Sequence, residues 1–341
     1  MKKAQWTRYS LRFKFEARTS RQVMTSKDTY FIRVYDTDAP DRTISIGECA
    51  LFRGLSTDDV ADYEAQLSQA CKSPEEALSL PYSSIRFGFE TALNAASPSD
   101  WQRGKAGIPI NGLIWMGDKR LMAERIAEKL EAGFSVLKLK IGGINFEDEV
   151  DLLRNIRKSF SPRELEIRLD ANGSFTPDNA LERLNRLAPF GIHSLEQPLR
   201  AGMIEQSAAL CSESPIDIAL DEELIGCRSY SESLELLEAI KPKYIILKPS
   251  LCGGFAASDR YIEIARKLNI GWWATSALES DIGLYAIASW LAPKGVVMPQ
   301  GLGTGKLYYN NVKSPLYMKD GALWSSGGSV PVLPEDLEWN D

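Results

Sequence analysis

The chain has 341 residues, of which 44% are hydrophobic and 25% are charged. This composition is typical of folded globular proteins and disfavours disordered, collagen-like and coiled-coil chains. Its 40 basic and 46 acidic residues give a net charge of −6 without a basic run, so we expect neither nucleic acid nor a membrane surface as a partner. With no signal peptide or membrane-spanning stretch, the sequence predicts a cytoplasmic protein that binds a small molecule.

The numbers and positions of cysteine and histidine limit the kinds of metal site and catalytic group that we expect. The five cysteines form no CxxC pair, which disfavours a disulfide framework and a thiolate zinc site. The one histidine, His193, excludes a three-histidine metal site. Acid and base chemistry is therefore expected from Lys, Asp, Glu, Tyr or Cys side chains.

The first hundred residues are predicted to form an α+β unit. Tyr9–Glu16 and Tyr30–Tyr35 alternate as strands do, and the polar connection Arg18–Lys27 is predicted to be a mobile loop that closes over a ligand. An N-cap pattern at Ser56–Asp59 predicts the start of a helix, and apolar residues at helical spacing predict another over Ser83–Asn94.

The pattern then changes to short apolar runs that alternate with amphipathic helices. Eight βα repeats predict an α/β protein with a closed (β/α)8 barrel over residues 106–307. Residues 1–105 and the tail 308–341 are predicted to form a domain packed against it. The predicted barrel strands are Ile108–Ile114, Val136–Ile141, Glu166–Asp170, His193–Glu196, Asp217–Asp221, Tyr244–Lys248, Gly271–Ser276 and Val296–Gln300.

Polar side chains recur at the ends of these runs, where a parallel barrel carries its functional groups. Three of them, Asp170, Glu196 and Asp221, end successive predicted strands and would repel one another without a cation between them. Oxygen ligands without histidine or cysteine favour a hard ion, so we expect Mg²⁺, with Mn²⁺ as the alternative.

Lysines flank this acidic trio on two sides. Lys138 and Lys140 lie two apart on the second predicted strand and so face the same way, and Lys248 ends the sixth strand, roughly opposite. A lysine close to other cations can act as a general base near neutral pH. For Lys138, a salt bridge is an equal alternative.

Other polar residues are candidates for supporting roles. Arg168 and Asn172 share strand parity with the acidic residue between them and are expected to orient the metal-binding carboxylates. Either Glu222 or Glu223 is expected to hydrogen-bond a lysine. His193 lies on the opposite face and is predicted to be a packing residue.

Two features near the sixth and eighth predicted strands are weaker indications of a functional role. Cys252 has no base beside it and is predicted to be a small buried residue. The Gly-rich turns Gly253-Gly254 and Gly301–Gly305 would let backbone N–H groups approach an anionic ligand.

Five motifs, taken in this order, resemble the enolase superfamily in its muconate-lactonising branch. The resemblance implies a modified barrel of the (β/α)7β type with an α+β capping domain, Mg²⁺ at the three acidic residues, and removal of a proton α to a carboxylate. The motifs are Lys138-Leu139-Lys140, Asp170-Ala171-Asn172, Glu196-Gln197-Pro198, Asp221-Glu222 and Lys248-Pro249-Ser250.

Secondary motifs resemble the o-succinylbenzoate synthases, a family within that branch; they are Gly47–Ala50, Leu247–Phe255, Ser276–Ser280 and Gly301–Gly305. The implied reaction is the dehydration of 2-succinyl-6-hydroxy-2,4-cyclohexadiene-1-carboxylate to o-succinylbenzoate in menaquinone biosynthesis. Lys140 would be the base and Lys248 the stabilising cation, and we expect substrate contacts from Ser276, Gly303, Thr304 and Arg168. One departure is Glu223, where many relatives carry Ser.

Other functions remain open at this stage. In an N-acylamino-acid racemase or a dipeptide epimerase, Lys140 and Lys248 would act on opposite faces of one α-carbon. Dipeptide epimerases of this branch usually carry Asp-x-Asp at the eighth strand, and Pro299–Gly305 contains no acid. Racemases of the mandelate type need a histidine on the seventh strand, which His193 cannot supply. A non-catalytic binding protein is the remote alternative.

Overall fold

A computed structural model describes residues 2–18, 23–93 and 97–341. Residues 2–93, which we call the cap, form a three-stranded antiparallel sheet in the order β1-β2-β3, against which helices pack. Tyr30, Leu67 and Phe89 are fully buried between sheet and helices. The elements are β1 (Lys2–Arg18), β2 (Val23–Asp36), β3 (Ala39–Cys49), α1 (Tyr63–Lys72), α2 (Pro74–Ala77) and α3 (Ser83–Leu93).

The cap differs from its prediction in two places. Ser56–Asp59 does not begin a helix; Asp58 instead accepts hydrogen bonds from Ser83 N (3.0 Å) and Ser84 N (2.6 Å), at the first turn of α3. The predicted helix start at Ser56–Asp59 is therefore wrong, and the Asp58 carboxylate instead pairs with the first N–H groups of a helix 25 residues further along the chain. Within the predicted mobile connection Arg18–Lys27, residues 23–27 belong to β2, and residues 19–22 lie outside the described part.

The remainder of the chain alternates strands and helices around one sheet, in which β5 to β11 are parallel neighbours in chain order. The strands are β4 (Ile108–Pro109), β5 (Gly112–Ile114), β6 (Val136–Lys140), β7 (Glu166–Asp170), β8 (Ser194–Glu196), β9 (Ile218–Leu220), β10 (Tyr244–Leu247) and β11 (Gly271–Ala274). The helices are α4 (Lys119–Glu131), α5 (Phe146–Ser159), α6 (Pro177–Leu187), α7 (Ile204–Glu213), α8 (Tyr230–Ile240), α9 (Gly254–Leu268) and α10 (Asp281–Leu291).

The ring closes without the predicted eighth strand. Val296–Gln300 forms no regular strand, and the gap is closed by single parallel bridges from Gln300 to Ile110 and from Gly301 to Thr275. Asn111 N donates to Gln300 O (3.0 Å) on one side, and Gly301 N donates to Ala274 O (2.8 Å) on the other. The modified barrel with a cap is thus confirmed, with its eighth position reduced to two residues.

The tail packs on both parts of the molecule. Strand β12 (Leu316–Lys319) pairs with β13 (Ala322–Ser325), and β13 pairs with β4. Trp6 on β1 exchanges backbone hydrogen bonds with Asn340 at 2.9 and 2.8 Å. The domain boundaries at residues 105 and 307 stay a prediction. Across residues 2–18, 23–93 and 97–341, no helix is both long enough and apolar enough to span a bilayer.

Two cap glutamates bind the N-termini of barrel helices. Glu90 on α3 accepts from the first backbone N–H groups of α9, including Ala256 N at 3.2 Å. Glu48 on β3 accepts from Ser280 N and Gly283 N, both at 2.9 Å, at the start of α10. Because helix N-termini carry unsatisfied N–H groups and partial positive charge, these carboxylates attach the cap to the barrel.

Candidate active site

Six charged side chains meet at the carboxyl ends of five neighbouring barrel strands. The strand geometry places them, since residues at the ends of parallel strands face one barrel mouth and residues two apart share a face. Most of them are almost fully buried, which is rare for charged groups unless they are paired. They are Lys138 and Lys140 on β6, Asp170 ending β7, Glu196 ending β8, Asp221 directly after β9 and Lys248 directly after β10.

The lysines and carboxylates form a connected set of ion pairs. Lys138 Nζ lies 3.0 Å from Asp170 Oδ2 and also pairs with Glu196. Lys140 Nζ lies 2.6 Å from the same Asp170 oxygen, and Lys248 pairs with Asp221. Three lysines and three carboxyl groups are therefore paired with one another in the barrel mouth.

Burial disfavours the charged form of each group, and the neighbouring charges determine whether its pKa rises or falls. Burial disfavours the Lys138 ammonium, but Asp170 and Glu196 outweigh it and raise the pKa of Lys138. Burial also opposes ionisation of Asp170, yet Lys138 and Lys140 hold its pKa below the usual range. Burial, reinforced by the charge of Asp170, raises the pKa of Glu196 well above its ordinary value. A further cation beside Glu196 would lower that pKa and favour the ionised carboxylate.

The acidic residues fit a hard divalent cation by their chemistry. As the side chains are arranged, no three acidic, histidine or cysteine residues among those described stand close enough to ligate one ion; each carboxylate of the trio contacts a lysine. Glu196 Oε1 is buried and accepts no hydrogen bond from any described residue. Three buried carboxylates and no nitrogen or sulfur ligand form the donor set that Mg²⁺ prefers. Ligation would require these carboxylates to turn from the lysines toward the ion.

Amides and backbone N–H groups hold the carboxylates in place. Asn172, with a left-handed backbone (φ 46°), donates its N–H to Asp170 Oδ1 (3.1 Å) and its side-chain amide to Glu222 Oε1 (3.0 Å). Its side-chain oxygen accepts from Lys140 Nζ (2.8 Å). Gln197 Oε1 accepts from Asp221 N (3.0 Å).

The two glutamates after Asp221 have separate partners. Glu222 bonds Asn172 as described, and Glu223 Oε1 accepts from Gly202 N at 2.9 Å. The glutamate that stands in place of the usual serine therefore fixes the loop that follows β8.

A pocket lined by residues of the cap and the barrel lies beside the charged cluster. Cap residues Phe52 and Leu55 contribute to its walls, and the predicted substrate-binding residues Ser276, Gly303 and Thr304 all line it. The Ser276 hydroxyl donates to Glu279 Oε2 (2.5 Å), so its proton is already engaged.

Arg168 is placed differently from its prediction. Its guanidinium donates to Glu166 Oε1 (2.7 Å) and Pro299 O (2.8 Å), and lies over the Trp273 ring at 4.5 Å. It therefore points toward the amino ends of the strands, away from the pocket, which contradicts the predicted contact with the substrate and the predicted role in orienting the carboxylates. His193 is a packing residue near this end, as predicted, and stacks on Tyr244 at 5.0 Å.

The secondary candidates also have structural explanations. The turn Gly253-Gly254 receives the Glu90 carboxylate rather than a ligand: a Cβ on Gly254 (φ 87°) would lie 2.3 Å from Glu90 Oε2. Burial raises the pKa of the Cys252 thiol to about 12, which makes it a poor nucleophile. Gly301 and Gly303, by contrast, do line the pocket.

Three further lining residues, Asn111, Trp115 and Thr275, were missed in the sequence. A signal was available for one of them, because Asn111 is the one polar residue in the apolar run Ile108–Ile114. Thr275 precedes Ser276, and nothing in the sequence pattern separated the two hydroxyl residues.

Comparisons with known proteins agree with this geometry. Residues 121–329 match the family described as enolase C-terminal domain-like. The chain is 44% identical to an o-succinylbenzoate synthase from Desulfotalea psychrophila over 93% of this chain and 97% of that protein. The crystal structure of MenC from Desulfotalea psychrophila superimposes with a TM-score of 0.81 at 40% identity and covers 95% of this chain and 99% of its own.

A more distant structure shares the fold alone. The dipeptide epimerase from Cytophaga hutchinsonii, solved with Mg and the dipeptide D-Ala-L-Val, has a TM-score of 0.83 at 19% identity, covering 99% of this chain and 98% of its own. The family match spans more than half of the chain, and the sequence identity to the Desulfotalea protein extends over nearly all of it. The resemblance inferred from the five motifs is confirmed, and the chain belongs to the enolase superfamily.

Proposed function

We propose that this protein is a Mg²⁺-dependent lyase that dehydrates 2-succinyl-6-hydroxy-2,4-cyclohexadiene-1-carboxylate to o-succinylbenzoate in menaquinone biosynthesis. The observation that carries the proposal is the placement of Lys140 and Lys248 on either side of three buried carboxylates, at the wall of one pocket. The 44% identity to an o-succinylbenzoate synthase supports this reaction over others of the superfamily.

Asp170, Glu196 and Asp221 would hold the metal ion. When bound, Mg²⁺ would neutralise the negative charge that develops on the substrate carboxylate as the α-proton leaves. Lys138, buried between Asp170 and Glu196, compensates their charge and takes no proton from the substrate. Mn²⁺ is the alternative ion, since it accepts the same oxygen ligands.

Lys140 and Lys248 have different roles at the reacting carbon. Lys140 Nζ reaches the pocket and contacts Asp170 Oδ2 and Asn172 Oδ1, and with Asp170 held by the metal it would be the general base that removes the α-proton. The resulting ammonium returns that proton to the departing hydroxyl group, which leaves as water while the ring becomes aromatic. The Lys248 ammonium stabilises the enediolate from the opposite side.

A paired assay tests this proposal. Purified protein with Mg²⁺ is given the cyclohexadiene substrate and, separately, N-succinylamino acids in deuterated water, and NMR follows both product formation and exchange of the α-proton. We expect rapid dehydration, with Lys140→Ala losing both dehydration and exchange. Lys248→Ala should lose most of the dehydration rate, and Lys243→Ala, an exposed lysine, should match the wild type.

Two outcomes would contradict the proposal. Dehydration at the wild-type rate in Lys140→Ala would refute the assignment of the base. Absence of dehydration together with racemisation of an N-succinylamino acid, in which each lysine variant keeps exchange for one enantiomer, would favour the racemase alternative.

We propose a small-molecule carboxylate as the partner. The expectations that nucleic acid and membranes are not partners, and that the protein is cytoplasmic, stay predictions.

A further inference from the structure

The turn that follows Lys140 is held by a buried carboxylate. Glu149 is only 3% exposed and lies in the first turns of α5. Its Oε1 accepts from Gly142 N at 2.6 Å. Burial raises the pKa of Glu149 to about 7, and the N–H groups of Gly142, Ile144 and Gly143 oppose that rise. Three successive backbone N–H groups therefore face one buried carboxylate.

This carboxylate is not needed to begin its own helix. The side chain of Asn145 caps α5 by accepting from Glu147 N at 2.9 Å. Burial of a carboxylate is costly unless hydrogen bonds compensate it, and the N–H groups that do so here belong to the turn Gly142–Ile144. The contribution of Glu149 therefore lies in the connection between β6 and α5.

The same turn is closely packed on two further sides. Gly142 has a left-handed backbone (φ 84°), and a Cβ there would lie 1.9 Å from Ser174 Oγ, in the loop that follows β7. A Cβ on Gly143 would lie 2.4 Å from Met116 Sδ. The turn is therefore fitted closely to both neighbours while the carboxylate binds it.

Lys140 lies between this turn and the regular ladder of the barrel. On β6 it is paired in register with Asp170 of β7, and Ile141 N donates to Asp170 O at 2.9 Å. Gly142 follows directly, so one residue separates Lys140 from the N–H group that donates to Glu149. The carboxylate therefore holds the backbone close to the point at which Lys140 leaves the sheet.

Backbone placement matters for a lysine that acts as a base. Lys140 Nζ contacts Asp170 Oδ2 (2.6 Å) and Asn172 Oδ1 (2.8 Å). The amine that takes a proton is uncharged, and a carboxylate attracts an uncharged amine less strongly than it attracts an ammonium group. The position of that amine therefore depends more on the backbone from which the side chain extends.

We propose that Glu149 is a positioning residue for the general base: by holding the turn Gly142–Ile144, it sets the position from which the Lys140 amine reaches the α-proton. This inference rests on the proposed function, in which Lys140 is the base. Glu149 does not line the pocket, so it acts through Lys140 and not on the substrate. A misplacement of ~1 Å can reduce a rate ~100-fold, so a small movement of the turn is enough.

The test combines steady-state kinetics with binding. Dehydration of the cyclohexadiene substrate in Mg²⁺ is followed for the wild type, Glu149→Ala and Glu149→Gln, with hydrogen and with deuterium at the α-carbon. Calorimetry gives the dissociation constant of o-succinylbenzoate for each protein, and circular dichroism verifies folding. Leu153→Ala is the matched control, because Leu153 is a buried residue of the same helix one turn further on.

We expect kcat of Glu149→Ala to fall ~10–100-fold, while KM and the dissociation constant of the product stay within about twofold of the wild type. The isotope effect on kcat should be at least as large as in the wild type, because removal of the α-proton is the step that slows. Glu149→Gln keeps an acceptor oxygen for Gly142 N and should lie between the two. Leu153→Ala should lose stability but keep the kcat of the wild type.

Three results would overturn the inference while the proposed function stands. They are a kcat of Glu149→Ala equal to that of the wild type, a fall of the same size in Leu153→Ala, and an isotope effect smaller than in the wild type. If Glu149→Ala does not fold, Glu149→Gln decides: a lower kcat at unchanged KM is expected, and an unchanged kcat refutes the inference.

Failure of the proposed function has a different signature. A wild-type protein that does not dehydrate the cyclohexadiene substrate refutes that function, and a Lys140→Ala variant at the wild-type rate refutes the base; the inference falls with either. An active wild type and an inactive Lys140→Ala, together with Glu149 variants at the wild-type rate, refute the role of Glu149 alone.

Discussion

Removal of the Glu48 carboxylate is expected to destabilise the protein strongly. Glu48 is fully buried and accepts four hydrogen bonds, from Thr29 Oγ1 (2.7 Å), Ser280 N (2.9 Å), Ser280 Oγ (2.6 Å) and Gly283 N (2.9 Å). Three of these donors stand at the first turn of α10, in the barrel. The carboxylate is therefore both a cap for that helix and a link between the two parts of the chain.

The magnitude follows from the number of donors left unpaired. In Glu48→Ala, four buried donors lose a charged acceptor at ~1.5–3 kcal/mol each, and because contributions from one network are not additive we expect a loss of about 4–6 kcal/mol. In Glu48→Gln, one carbonyl oxygen still serves two donors while an NH2 group faces the other two. The expected loss is then about 2–3 kcal/mol.

Urea unfolding followed by tryptophan fluorescence and circular dichroism measures both losses by linear extrapolation. Glu124→Ala is the matched control, because Glu124 is an exposed helix residue whose ion pair with Arg120 is worth ~1 kcal/mol or less. If Glu48→Ala unfolds within about 1 kcal/mol of the wild type, the reasoning from buried donors is wrong. Glu48→Gln as costly as Glu48→Ala would show that the charge matters more than the number of acceptor oxygens.

Three further predictions concern other sites. Asp221→Asn should abolish most of the activity and weaken Mg²⁺ binding in calorimetry, with an unchanged circular dichroism spectrum; normal metal affinity would exclude Asp221 as a ligand. Burial raises the pKa of Glu149 to about 7, although Gly142 N donates to it, so the folded state holds this proton more tightly than the unfolded state does. Stability should consequently fall as pH rises from about 4.5 to 7, by on the order of 3 kcal/mol at most, and Glu149→Gln should remove that slope in urea titrations at several pH values. Glu90→Ala should lower stability by about 1–3 kcal/mol, because two N–H groups of α9 lose their acceptor, and Glu90→Gln should recover part of it.

The barrel and the charged cluster were predictable because both depend on periodicity. Hydrophobic runs at a regular spacing predict parallel βα units, and strand parity then predicts that Lys138, Lys140 and Asp170 face one interior. Parity fixes the face of a strand but not the direction of a long side chain along the barrel axis. Arg168 therefore has the strand parity of Asp170, yet its guanidinium contacts Glu166 and Trp273, at the opposite end of the barrel from the pocket.

Contacts between segments that are far apart in the chain could not be predicted from the sequence. Asp58 has the local pattern of an N-cap, and only the folded chain shows that it caps α3. The polar pattern around Lys27 predicts a loop residue, yet this side chain is only 7% exposed. Burial lowers its pKa, and the neighbouring Glu48 and Glu279 oppose that shift. The apolar residues of Val296–Gln300 predict a strand. Pro299 has no backbone N–H to donate, and only Gln300 and Gly301 form bridges, so the segment forms no regular ladder.

The pairing of Trp6 with Asn340 has a consequence for the order in which the chain can fold during synthesis. The two residues are separated by 334 positions, so at ~5–20 residues per second the ribosome needs roughly 15 to 70 s to supply the partner of the first strand. Until then the outer edge of β1 is open at Trp6, and an open strand edge can pair with another chain. A nascent chain that stalls before residue 340 therefore exposes this edge, even though every residue of the charged cluster has already been made.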